Sequence, residues 1–256
     1  MGFTLQSILK RVPIIVSPIA GGALIASIGV VAGVRYGLLV TLALAAITAL
    51  LLTRVQVRTN SLRAINIIGV WQSFPRPLKR LLTSDAIIRT CEALTGVLVI
   101  LYVTNVHGLN AAYFGVFVAI QMIASLLGYI PAARLADRIG RKPLVIATFV
   151  NFALFPVAII LASNVAWLAV AFVIGGLREI GEPARKAMIV DLAQENVRAR
   201  SIGLYYLIRS LSITPAAAIG GLLWSVNPKA PFIAAGIVGL LGTIVFALTV
   251  EERYAS

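Results

Sequence analysis

The chain is a series of long apolar runs joined by short links rich in Lys and Arg, and that layout alone excludes most folds. Eight runs stand out, at 13–31, 36–52, 86–103, 111–133, 143–161, 165–184, 201–226 and 231–250. A helix of about 20 apolar residues is long enough to cross the hydrocarbon core of a bilayer. A hydrophobic content of 60% and a mean hydropathy of +0.98 leave too little polar surface to cover a water-soluble body. The runs lack the apolar/polar alternation that strands of a membrane barrel show. The expected fold class is therefore an all-α integral membrane protein with eight transmembrane helices.

The charges orient those helices. With the N-terminus in the cytoplasm, 18 of the 22 Lys and Arg fall in cytoplasmic links or at their edges. They are Lys10 and Arg11, six cations from Arg54 to Arg80, four from Arg134 to Lys142, five from Arg178 to Arg200, and Arg253. The outer links hold Arg35 and Lys229, while Arg89 and Arg209 lie inside runs. This asymmetry places both termini in the cytoplasm and the chain in the cytoplasmic (inner) membrane. The net charge of +13 is then an orientation signal, and nucleic acid is not an expected partner.

The residues that catalysis or metal binding require are scarce. Cys91 is the single cysteine and reads as a small apolar filler, and His107 is the single histidine. One His without a second ligand does not make a zinc site. No Ser or Cys has a His partner that would activate it as a nucleophile. No enzyme activity, metal or cofactor is expected. Lys10 and Arg11 ahead of the first run imitate a signal peptide, but that run is long and a second span follows at once.

The longest link, 53–84, carries six cations and no acid. Within it Leu62, Ile65, Ile68 and Trp71 have the spacing of a short amphipathic helix on the cytoplasmic leaflet, ended by Pro75 and Pro77. An irregular basic tether is the alternative. Across the first two runs and their link, Gly29, Gly33 and Gly37 are four apart, and in the seventh run Gly220 adjoins Gly221, which suits close helix packing. Pro18 and Pro215 are expected to bend their helices.

Between the fourth and fifth runs lies a charged knot, "RLADRIGRKPL", residues 134–144. Gly140 allows a left-handed turn. Arg138, Arg141 and Lys142 anchor the link on the cytoplasmic side, and Pro143 suits a first helical turn. Asp137 is an acceptor for the free N–H groups of a nearby helix N-terminus. "ARLADRIGRK" resembles the motif Gly-x-Leu-Ala-Asp-Arg/Lys-x-Gly-Arg/Lys-Arg/Lys of major facilitator superfamily transporters, departing at its first position, where Ala133 replaces Gly. "LREIGEPARKAMIVDLAQENVRARSIGLYY" is similar to the fourth-to-fifth helix region of a six-helix half of that family, with Arg178, Gly181, Asp191, Arg198 and Arg200 in order. "PIIVSPIAGG" resembles the Gly-Pro-x-x-Gly-Gly element on the fifth helix of its proton-antiporter branch, with Ser17 in place of Gly.

The resemblance implies an architecture. In the family the knot follows the second helix of a half, whereas here it follows the fourth run. Residues 1–52 would then be the last two helices of an N-terminal half, 53–84 the basic cytoplasmic central loop, and 85–256 a six-helix C-terminal half. The first four helices of the family pattern are absent from this sequence. Asp137 would face the start of the first run, within residues 6–16. The knot residues Asp137, Arg138, Gly140, Arg141 and Lys142 would act in a cytoplasmic gate.

Ionisable residues also lie inside the runs, where each costs roughly 2.5–3.5 kcal/mol on insertion scales unless it is paired. Asp85, just ahead of the third run, and Arg89 and Glu92 within it fall on one helical face. The sixth carries Arg178, Glu179 and Glu182, and the seventh Arg209. By the resemblance, the helices bearing the first two groups line the central cavity. Arg89, Glu92, Arg178, Glu179, Glu182 and Arg209 are the expected network for protons or substrate. Arg185 and Lys186 read as snorkelling to the surface, and a structural lattice of ion pairs is the alternative for the whole group. The expected function is secondary active transport of small molecules by alternating access, coupled to protons and embedded in the lipid bilayer. The competing expectation is a non-transporting membrane remnant or assembly subunit of a truncated family member.

The topology predicts a labelling pattern. A cysteine placed at Asn110 reacts with an impermeant maleimide in intact cells, and one placed at Asn60 reacts only after permeabilisation. Labelling of position 60 from outside would reverse the assignment.

Overall fold

The computed structural model describes residues 27–54 and 67–250, with single positions between 13 and 24. These fall into two units, one within 12–66 and one from Ile67 onward. The first contributes helix α1, Val30–Thr53, entered through Gly29. Its side chains are apolar and uncovered, with Leu38 60% and Leu42 66% exposed. Such a helix is stable where lipid or other apolar helices surround it. The expected first run lies mostly outside the described residues, as do 55–66 of the central link.

The second unit is a helical bundle, with no strand among the described residues. A short helix α2, Ile67–Gln72, leads into α3, Arg76–Thr95. Pro75 and Pro77 were expected to end a short helix; α2 does end at Gln72 ahead of them, and they also open the next helix. Pro75 is the N-cap of α3 and Pro77 lies in its first turn, where a missing N–H costs nothing. The helix therefore starts well ahead of the apolar run. It continues through α4, Leu98–Leu101, into a single π-turn, Tyr102–Val106, and the helical rod spans 31 residues.

Helix α5, Ala111–Ile139, is capped by Asn110, whose side chain accepts from the Ala112 and Tyr113 amides. It stops at Gly140, which has φ 94° and is the whole connection to α6, Arg141–Leu161. The reversal read from the knot is thus a one-residue joint, and its positive φ explains the glycine. Helix α7, Val165–Leu177, starts at Asn164, which accepts from the Trp167 amide. The expected run 165–184 does not continue as one helix. It breaks at 178–181 and resumes as α8, Glu182–Leu192. Pro183 lacks the N–H needed to carry the ladder through. The Glu179, Ile180 and Glu182 amides bond instead to carbonyls three residues back, those of Gly176, Leu177 and Glu179. Helices α9, Arg198–Val226, and α10, Ala230–Thr249, complete the unit.

The count of eight spans is not reached among the described residues. Six helices are long and apolar enough to cross a membrane: α1, the α3–π-turn rod, α5, α6, α9 with its preceding turn, and α10. The broken α7–α8 pair falls short of that length in either piece.

The tightest packing runs between the first and last helices of the bundle. Helix α3 lies against α9 and α10, α6 against α7 and α10, and α5 against α7. Aromatic contacts fill these seams, with Phe149 on Phe246 at 4.9 Å and Phe117 stacked on Phe172 at 5.0 Å. At one crossing α9 comes so close to α3 that a Cβ on Gly220 would sit 2.1 Å from the Leu94 carbonyl oxygen, while one on Gly221 would meet nothing within 4 Å. Gly220→Val is expected to lower stability by about 1–3 kcal/mol through this overlap. Gly221→Ala is expected to leave it unchanged or raise it slightly. Thermal unfolding of the two variants in detergent checks the contrast.

Candidate functional site: a buried charge network

The charged side chains inside the bundle converge on one place, where α3, the 178–181 break, α8 and α9 meet. Asp85 and Arg185 form its most buried pair, 0% and 2% exposed. The carboxylate of Asp85 also accepts from the Tyr205 hydroxyl at 3.0 Å and lies 3.4 Å from the Arg209 guanidinium. All three contacts use Oδ2, and Oδ1 has no hydrogen-bond partner among the described residues. Arg185 reaches a second carboxylate, Glu182, one turn before it on α8.

Glu182 is the second hub. It lies in the first turn of α8, where the free N–H groups and the helix dipole favour an anion. Besides Arg185 it takes Arg89 at 2.6 Å and Lys186 at 3.5 Å. Arg89 turns its other amino group to Glu92, one turn further on α3, at 2.7 Å. Glu92 lies 3.5 Å from Arg178, which is also 3.9 Å from Glu179. Aromatic faces cover the guanidinium planes. Phe152 lies 5.0 Å from Arg89, Phe155 4.8 Å from Arg178, and Tyr206 4.6 Å from Arg209.

The arrangement follows from local structure. Spacings of four and three align Asp85, Arg89 and Glu92 along α3. The break at 178–181 turns Arg178 and Glu179 inward and starts α8 with Glu182 at the same level. Tyr205 and Arg209, four apart on α9, share a helical face and both reach Asp85.

All six residues expected in the network are brought together: Arg89, Glu92, Arg178, Glu179, Glu182 and Arg209. Two readings need correction. Arg185 does not snorkel, being among the most buried side chains of the molecule, and Lys186 is turned inward to Glu182. Asp85, which had not been placed in the network, is its most buried carboxylate. Its four-residue step to Arg89 was the available signal.

The knot forms a separate site. Arg141 pairs with Asp191 near the end of α8. Asp137 and Arg138 are exposed, and Lys142 is half-buried. The expected neighbours of Asp137, at 6–16, are almost wholly outside the described residues. Among the described residues no cluster of His, Cys, Asp and Glu has the form of a metal site.

The pairing energetics give a test. Removing one partner of a buried ion pair strands the other charge, whereas removing both does not. Arg185→Met is expected to cost about 3–5 kcal/mol, and the double variant Asp85→Leu, Arg185→Met to recover roughly half of that. Unfolding in mixed detergent micelles measures both. A double variant no more stable than the single one would remove Asp85 and Arg185 as a coupled pair.

Comparison with known proteins agrees with this geometry. The sequence pattern of the Major Facilitator Superfamily matches residues 81–256. Over 154 residues, 60% of this chain, the sequence is 25% identical to the uncharacterized MFS-type transporter YqjV of Bacillus subtilis. It is 26% identical to the class C tetracycline resistance protein of Escherichia coli over 56% of this chain, and 26% identical to the quinolone resistance protein NorA of Staphylococcus aureus over 57%. The chain spans little more than a third of those relatives, 38%, 36% and 38% of their lengths. It is an integral, multi-pass membrane protein, and it belongs to the major facilitator superfamily.

Proposed function

We propose that this chain is the C-terminal portion of a secondary active transporter that moves small molecules by alternating access and is driven by protons. Residues 85–256 form its six-helix C-terminal half, 1–52 the last two helices of the preceding half, and 53–84 the cytoplasmic link between them. The observation that carries the reading is the charge network itself. Nine ionisable side chains sit in the interior of an apolar bundle, where structure alone is served as well by apolar residues of similar volume. Oδ1 of Asp85 has no hydrogen-bond partner among the described residues, so the carboxylate has an unused acceptor at the centre of the network. Glu92 is the most accessible carboxylate of the group at 29%, and two arginines compete for it.

The knot acts in the cytoplasmic gate. Arg141 ties the one-residue joint to α8 through Asp191, and Glu182 opens the same helix at the network. A change of pairing at Glu182 is thereby connected to the joint by a single rigid element. Asp137, exposed beside it, is free to meet a helix N-terminus on the other half.

The names of the relatives suggest the first compounds to try. The chain is reconstituted in liposomes with an imposed pH gradient, and flux of radiolabelled tetracycline and of a quinolone is followed. Gradient-dependent flux abolished by a protonophore is expected. Glu92→Gln is expected to lower it at least about tenfold, and Asp137→Asn to slow turnover without loss of protein from the membrane. Flux indifferent to the gradient would remove the proton coupling. Absence of flux for both compounds from a correctly folded chain would weigh for a non-transporting remnant.

A further inference from the structure

The network is not electrically balanced. Five cations face four carboxylates, with every member paired to at least one other. The remaining acids of the sequence, Asp137, Asp191, Glu195, Glu251 and Glu252, all lie outside the apolar runs. Of these, Asp191 and Glu195 pair with Arg141 and Arg198 outside the network, and Glu251 and Glu252 lie outside the described residues.

Arg209 is the cation held most loosely at Asp85. Oδ2 of Asp85 already takes Arg185 and the Tyr205 hydroxyl, and Arg209 holds the longest of its three contacts, at 3.4 Å. The Arg209 Nε is buried without a hydrogen-bond partner among the described residues. Its side chain is 17% exposed. Tyr206 covers one face of it, with the ring centroid 4.6 Å away. The residue stands eight positions into the apolar run from Ser201, about 12 Å along the helix axis. A lipid headgroup resides at the interface, outside that depth.

An arginine so placed has a fixed positive charge and a planar fork of donors that matches a carboxylate. A carboxylate arriving there would satisfy the fork, restore neutrality and lie beside an aromatic wall suited to the apolar part of the same molecule. We propose that Arg209, flanked by Tyr206, binds the carboxylate of a small soluble organic anion, which makes organic anions the substrate class of this site. This rests on the reading of the network as a substrate site, but it is tested by binding and needs no flux.

The full chain, purified in neutral detergent, is titrated with benzoate, benzamide and benzylamine by isothermal calorimetry. Saturable benzoate binding is expected, with no detectable binding of the neutral or the cationic ring. Arg209→Gln, which also removes the charge excess, is expected to weaken benzoate at least about tenfold. Lys229→Gln removes the same formal charge from an outer link and is expected to stay within about twofold. Should Arg209→Gln fail to fold, Arg209→Lys decides, with a loss of at least about threefold expected because a lysine cannot form the bidentate contact. Addition of phosphatidylglycerol is expected to leave the benzoate affinity unchanged. Equal binding of benzoate and benzamide, undiminished binding in the arginine variant that folds, or displacement by phosphatidylglycerol would overturn the proposal. Benzoate binding without flux would count against the transporter reading alone, and flux without benzoate binding against this inference alone.

Discussion

The contact between Asp85 and Arg185 holds the interior of this bundle together. Both groups are out of reach of water, so each would be strongly destabilising without the other. Arginine has no neutral form available in a protein, and the interior therefore has to supply a carboxylate wherever Arg185 is buried. That requirement fixes the register of α3 against α8, since Asp85 and Arg185 must meet. It also fixes α9, because Tyr205 and Arg209 use the same oxygen. Further along the same pair of helices, α9 meets α3 again at Gly220 and Leu94.

Helix α8 joins two sites that are remote in the fold. Its first residue, Glu182, gathers three cations, and its penultimate residue, Asp191, holds the joint at Gly140–Arg141. The two carboxylates are nine residues apart, about 14 Å along a helix. A short helix free of internal glycine moves as one piece, so a displacement at either end is felt at the other. The break at 178–181 gives that piece a boundary separate from α7.

Features with a local cause were legible in the sequence. The reversal at the knot needs a residue with positive φ between two helices, and Gly140 states that requirement by itself. The shared face of Asp85, Arg89 and Glu92 follows from helical spacing alone. Arg185 was misread for a physical reason. A cation just past the end of an apolar run ordinarily extends to the surface, and what draws Arg185 inward is a carboxylate 100 residues earlier in the chain. Pro183 was a visible sign of the break in α7–α8, yet the apolar character of the run around it outweighed it. Pro75 and Pro77 mark a boundary with a helix on each side, and the apolar run from 86 gave no sign that the second helix starts at Arg76. The fold class was legible because it needs no pairing information at all, only the lengths of the runs and the charges between them.

The separation of Asp85 from Arg185 bears on how such a chain enters the membrane. Synthesis delivers α3, with Asp85, Arg89 and Glu92, long before the α7–α8 segment brings Arg178, Arg185 and Lys186. The α7–α8 segment carries its own cluster of charges and breaks at 178–181, so it partitions poorly into lipid as a separate unit. Its entry is favourable once α3 is there to receive it. The free energy of inserting the α7–α8 segment is thereby tied to its pairing with α3.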